Sequence, residues 1–347
     1  MLNKLIQISV TTLLLFVASI YPAAYAQSDH VAAPRWVIED VLASDFKPFA
    51  IGHRGFGGNL GEIPDKPIEN TTESVRQAFR AGLQIVEVDV VLTKDNLAVA
   101  LHDDFLDDYT CVNQLTFVEL RHRFKQASKL KHILKVARGF SVKNNSDRPS
   151  GQVILEIKTP APLCDPGDTT VPALVNATLA AVNQTKMQQQ VLIESFSPEV
   201  VAMVKASQPS IPRALSFSLL QALTPEQLES ITGLPVTLLD KTVGFGLQWV
   251  EVGPVFRVPI YESIYEYIST LVALESRAAT LDKDALLQME MISAGSASLL
   301  ISQLQNIDTI SLVYTVNDEQ EWEFLSSIGV DGFYTDEVLM VLFLENQ

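Results

Sequence analysis

The chain has few cysteines, few histidines and few cations, and past its amino terminus it has no long apolar run. Cys111 and Cys164 are the only cysteines. In an oxidising compartment they can pair, but two cysteines this far apart leave the geometry open. Lys and Arg number 25 against 41 Asp and Glu, a net charge of −16. That balance argues against nucleic acid as a partner, and it means that an anionic substrate must be drawn in by local charge. No low-complexity tract interrupts the 347 residues, and 47% of them are hydrophobic, enough to bury a large core.

The one long apolar run opens the chain. "MLNKLIQISVTTLLLFVASIYPAAYA" carries a single cation, Lys4, an apolar core over residues 5–20, and small residues at Ala24 and Ala26. This pattern predicts a Sec-type signal peptide over 1–26, cleaved before Gln27, and a periplasmic or secreted mature chain with no stable membrane span. An uncleaved anchor is the alternative. Residues 27–347 are then expected to form one catalytic domain.

Within them, short β-branched apolar runs alternate with helical patterns. Expected strands are 47–53, 84–92, 97–102, 152–158, 190–196, 211–217, 247–253, 310–316 and 331–336. In "ENTTESVRQAFRAG", Asn70 is placed to cap a helix with Glu73 three residues on, and Gly82 to end it. This alternation predicts an α/β fold, a (β/α)8 TIM barrel, with a doubly wound open sheet as runner-up. The link from Glu87 to His102 is too short for a helix and has a turn signal at "TKDN", so a hairpin-like reversal is expected there. Excess length between His102 and Gln152 predicts an insertion over about 104–150, after the third strand. Its segment "RHRFKQASKLKHILKVAR" (121–138) is rich in Lys and Arg and holds no acid. A solvated amphipathic helix is the expected reading; a basic lid for an anionic or membrane-bound substrate is the other.

Charged and polar residues gather where the apolar runs end: His53 and Arg54, Glu87 and Asp89, His102 and Asp103, Glu156 and Lys158, then Ser195, Asn317 and Asp336. The carboxyl ends of barrel strands converge on one face, where active sites are built. Glu87 and Asp89 share one strand face, alternating with valines, as Glu156 and Lys158 share another. Three carboxylates pointing into a barrel need a cation, and oxygen-only ligands favour Ca2+ or Mg2+. There are only five histidines. Two of them, His53 and His102, each follow an apolar run and precede a charged residue. Beside a carboxylate-bound metal and the cations Arg54 and Lys158, they fit general acid–base cleavage of a phosphodiester.

These residues fall into a series of short motifs: His53-Arg54-Gly55, Glu69-Asn70-Thr71, Glu87-Val88-Asp89, Thr93-Lys94-Asp95 and His102-Asp103. Glu156-Ile157-Lys158, Ser195-Phe196, Tyr314-Thr315-Val316-Asn317 and Gly332-Phe333-Tyr334-Thr335-Asp336 follow in order. Together they resemble the glycerophosphodiester phosphodiesterase family across roughly residues 50–340. The resemblance implies an irregular TIM barrel of the phospholipase-C-like type, with His53 and His102 as the catalytic pair. It implies Glu87, Asp89 and Glu156 as ligands of one divalent cation, with Ca2+ favoured in a periplasmic setting. Arg54 and Lys158 would hold the phosphate, Glu69 would support the arginine, and Tyr314 would line the substrate pocket. The implied reaction converts a small-molecule glycerophosphodiester, such as glycerophosphocholine or glycerophosphoethanolamine, to glycerol 3-phosphate and an alcohol. Lysophospholipase D-type cleavage of lysophospholipids is the alternative, and a catalytically dead binding protein would need the loss of a chemical residue. The long link "FGGNLGEIPDKPI" and Tyr314, in place of the family's usual Trp, both depart from the pattern at the pocket rim.

Overall fold

Side chains alternate across the apolar runs, and a run that is buried on both faces can sit only in a sheet covered on both sides. All eight residues of Ile85–Leu92 are buried. The computed structural model describes residues 34–45, 47–143, 148–242 and 245–345. The chain divides into two units, 1–34 and 35–347, and only the second is described below. The expected signal peptide and its cleavage site lie outside the described residues.

Eight parallel strands close a barrel. In order around it they are β1 (Phe49–Gly52), β2 (Ile85–Leu92), β5 (Gln152–Ile157), β6 (Val191–Ser195), β7 (Arg213–Phe217), β11 (Ala278–Asp282), β12 (Ile310–Tyr314) and β13 (Gly332–Thr335). Pairing of β1 with both β13 and β2 closes the ring. The expected reversal is present: β3 (Ala98–Ala100) runs antiparallel to β2, with Val90 opposite Ala100, and a short β4 (Ser128–Lys129) pairs beyond it.

The inward faces change character along their length. Near the strand starts Ile51, Ile85, Ile154, Leu192, Ala214 and Ala278 meet in one apolar cluster, closed beneath by Ile38, Val41 and Leu42. Two residues further along, the same faces carry His53, Glu87, Glu156, Glu194, Ser216 and Thr280, which wall a single cavity. The barrel floor is therefore hydrophobic and its carboxyl end is ionic. On the outward faces Val86, Val88 and Val90 pack with the helices in the main core.

Three expectations need correction. The helix after "ENT" is Thr72–Ala81, capped by Thr71 rather than Asn70. Asn70 is drawn away because its amide is used on β2: it donates to Asp89 Oδ2 at 2.7 Å and accepts from Asp89 N at 3.0 Å. Gly82 does end the helix, in the left-handed conformation. The second correction concerns 247–253, which is no barrel strand. It is β9 (Gln248–Val252), the centre of an antiparallel sheet with β8 (Val236–Thr242) and β10 (Phe256–Ile260), set between β7 and β11. The barrel strand missing from the sequence reading is β11, whose "AATLD" offers little of the β-branched signal that marks strands.

The third correction is to the extent of the basic segment, whose expected amphipathic character holds. It forms two helices, Phe117–Arg123 and Leu130–Phe140, separated by residues 124–129, in which Ser128 and Lys129 pair with β3 as β4. Leu130, Ile133, Leu134 and Ala137 of the second helix are buried in the main core, so it is a packing helix of the barrel with its cations turned away. Substituting Lys129, Lys131 and Lys135 together by Gln should leave turnover of small soluble diesters within about twofold of the parent. Abolished turnover in a steady-state assay would place this segment in the active site.

Candidate active site

The His53 loop is shaped by close backbone approach. Gly55 has φ +96°, and a Cβ there would lie 2.1 Å from Ser74 Oγ. Ser74 Oγ donates to Arg54 O at 2.8 Å and accepts from Phe56 N at 2.8 Å, which fixes the turn to the following helix. At Gly57 a Cβ would lie 2.2 Å from the Asp336 carbonyl, so only glycine lets this loop and the end of β13 meet.

That meeting builds the first histidine. His53 Nδ1 is 2.9 Å from Asp336 Oδ1. Burial would raise the Asp336 carboxyl, but His53, Gly58 N and the Asn317 amide hold it well below the usual carboxylate range. An ionised carboxylate only accepts, so Nδ1 carries the hydrogen and Nε2 is free to take a proton. Asn317 reaches Asp336 Oδ2 at 3.0 Å and accepts from its backbone N at 2.8 Å. His102, beyond β3, is built alike: its Nδ1 lies 2.8 Å from Asp103 Oδ1, and that hydrogen bond lowers the Asp103 carboxyl. The two dyads differ in setting. The side chain of Asp336 is 23% exposed and that of Asp103 is 64% exposed, so His53 is clamped and His102 faces solvent.

Between them lies a carboxylate cluster. Glu87, Asp89 and Glu156 each bring an oxygen within 4.8 Å of the others. Glu87 Oε1 is buried without a hydrogen bond or an ion-pair partner. Lys158 Nζ sits 3.1 Å from Asp89 and 2.6 Å from Glu156. Arg54 donates to Glu69 at 2.8 Å, lies 3.7 Å from Asp89, and gives its backbone N–H to Glu87. Asn59 N also donates to Glu69, at 2.9 Å. Burial works against the charge of Asp89, yet Lys158, His102, Arg54 and His53 hold it low. Glu87 has the reverse fate. Burial, then Asp89, Glu156 and Glu194, push it well above its ordinary value. A buried Glu87 oxygen without a partner, amid the crowded negative charge of Asp89, Glu156 and Glu194, is what a hard divalent cation would relieve, so these residues fit such a metal.

Glu194 was missed by sequence reasoning. Burial and the charge of Glu156 push it up to about 8, against hydrogen bonds from Thr280 and Tyr334. The signal was available: in "QVLIESF" Glu194 shares its strand face with Leu192, which points into the barrel, while Ser195 does not. Ser195 Oγ instead donates to Ile157 O at 2.8 Å and ties β6 to β5. Tyr314 donates to Phe217 O at 3.0 Å, and its ring meets Phe196 edge-on. Glu194, Thr280, Tyr334, Tyr314 and Phe196 join the two histidines, Arg54 and Lys158 in walling a chamber of about 210 Å3. Cys111 and Cys164 form a disulfide between the loop that follows His102 and the loop that follows Lys158.

A closed parallel barrel with two cations and two carboxylate-backed imidazoles around a carboxylate cluster at its carboxyl end defines a TIM-barrel protein with a metal-competent centre. The model of the glycerophosphoryl diester phosphodiesterase family matches residues 53–237, and the chain belongs to that family. Among relatives, the glycerophosphocholine phosphodiesterase of Eremothecium gossypii is 48% identical over 54 residues, which is 15% of this chain but only 4% of that protein. A glycerophosphodiester phosphodiesterase of Caldanaerobacter subterraneus is 25% identical over 180 residues, covering 49% of this chain and 67% of the relative. The structure of an Oleispira antarctica phosphodiesterase in complex with the product sn-glycerol-3-phosphate matches with a TM-score of 0.59 at 18% identity, over 86% of this chain and 97% of that one. At that identity the structural likeness shows the barrel.

Proposed function

We propose that this protein is a metal-dependent hydrolase of glycerophosphodiesters, such as glycerophosphocholine and glycerophosphoethanolamine, releasing glycerol 3-phosphate and an alcohol. One observation carries the reading: two imidazoles, each oriented by a carboxylate, flank a buried carboxylate cluster beside Arg54 and Lys158. Arg54 and Lys158 bind non-bridging oxygens of the phosphodiester. His53 Nε2 takes a proton from the attacking water, whose oxygen bonds to phosphorus as the phosphorus–oxygen bond to the alcohol breaks, and His102 gives a proton to the departing alkoxide. Glu87, Asp89 and Glu156 would hold a divalent cation, Ca2+ or Mg2+, which when bound supplies charge stabilisation at the phosphoryl oxygens. The product in the Oleispira protein and the name of the fungal relative support the substrate class.

The decisive assay measures glycerol 3-phosphate released from the choline and ethanolamine diesters, against cleavage of lysophosphatidylcholine, with EDTA and metal add-back. Preference for the lysolipid would favour lysophospholipase D-type activity.

Asp336→Asn keeps the shape of the His53 partner and removes its charge. It should lower kcat by roughly ten- to a hundredfold, less than the 10²–10⁴ expected for losing an imidazole, with an unchanged thermal midpoint. An unaltered kcat would remove Asp336 from the machinery. We further infer that the mature protein begins near Gln27, beyond the inner membrane. Amino-terminal sequencing of the exported protein should read Gln27 first, and an intact Met1 in a membrane fraction would contradict it.

A further inference from the structure

The geometry points to a second chamber that receives the leaving alcohol and is built for one bearing a methylated ammonium group. This rests on the phosphodiester reading above. A cavity of about 400 Å3 adjoins the first, and His102, Glu156, Lys158 and Phe196 wall both. His53 borders only the first. A phosphorus held over the carboxylate cluster thus has His53 on one side and His102, with the second chamber behind it, on the other. An alcohol protonated by His102 leaves into that chamber.

The chamber's chemistry selects the alcohol. Four aromatic side chains line it: Phe105 after His102, Phe196 after β6, Trp249 on β9 and Phe256 on β10. Asp103 and Asp104 stand beside them. The two cations of the lining are already paired. Lys158 is held by Asp89 and Glu156, and Arg257 by Glu251 at 2.6 Å and Asp168 at 3.2 Å. Asp103 is held by His102 and Asp104 by Ala161 N, so a neutral hydrocarbon would forgo only their attraction, and a primary ammonium or a polyol would lose hydrogen bonds to water against the four rings. A quaternary ammonium needs no hydrogen bonds and gains from both aromatic faces and negative charge. The wall is also fixed in place. Arg257 donates to Asp165 O at 3.1 Å and Leu163 N to Pro254 O at 3.0 Å, so β10 is anchored to the loop that carries Cys164.

The test compares kcat/KM on three glycerophosphodiesters whose alcohols are choline, its neutral isostere 3,3-dimethylbutanol, and ethanolamine. The parent protein should prefer choline over both by about tenfold. Phe256, 45% exposed, can be truncated without opening the core. Phe256→Ala should raise KM for the choline diester about five- to tenfold, leave its kcat, and change the ethanolamine diester less than twofold. Asp104→Asn should narrow the gap between choline and its isostere. Equal or better turnover of the isostere, or equal losses on all three diesters in Phe256→Ala, would overturn the assignment while leaving the phosphodiesterase reading intact. No turnover of any of the three by the parent would overturn that reading itself, and this inference with it.

Discussion

His102→Ala should lose two to four orders of magnitude in kcat/KM on glycerophosphocholine, yet keep substantial activity on a p-nitrophenyl phosphodiester of glycerol. A nitrophenolate departs with little need for a proton, so a missing general acid is felt only where the leaving group is an alkoxide. His53→Ala should lose both substrates, because a proton on the attacking water must be removed whatever leaves. The settings of the two dyads motivate this order. His53 is clamped by Asp336, itself fixed by Gly58 and Asn317, which suits a base that must meet a nucleophile in one geometry. His102, with its exposed partner Asp103, stands at the opening between the two cavities, where an alcohol can leave. The reverse pattern in steady-state kinetics would exchange the roles. Full activity of either variant on the choline diester would end the two-histidine account.

Much of this site was legible because barrel geometry converts spacing into position. Glu87 and Asp89, two apart on a strand, had to point the same way, and the short link to His102 had to reverse. What the sequence concealed falls into two kinds. Ala278–Asp282 is a barrel strand with Ala278 in the floor, Ala279 in the outer core and Thr280 as its one β-branched residue, so its strand signal is weak. In contrast, 247–253 reads strongly as a strand and is one, but its antiparallel partners Val236–Thr242 and Phe256–Ile260 flank it locally. Strand character is a local property, whereas membership of the barrel depends on the distant partner. Asn70 shows the same limit: its capping potential was local, and its tie to Asp89 was not.

Removing divalent cations with EDTA should abolish diester hydrolysis, and Ca2+ or Mg2+ should restore it. Glu87→Gln makes the same point in the protein itself. The substitution keeps the volume and an oxygen that can still accept from Arg54 N, as Glu87 Oε2 does at 2.9 Å. It deletes the charge at Oε1, which is buried and lacks a hydrogen-bond partner. Metal affinity measured by titration calorimetry should fall by roughly 100-fold, at least the loss typical of a mutated outer-shell partner. Folding should not suffer, since in the metal-free protein Glu87 is crowded by Asp89, Glu156 and Glu194. The metal-free thermal midpoint should therefore stay level or rise, while the parent gains more from added metal than the variant does. A drop in the metal-free midpoint with unchanged metal affinity would make Glu87 a structural group. Activity that survives exhaustive chelation would remove Glu87, Asp89 and Glu156 from the reaction altogether.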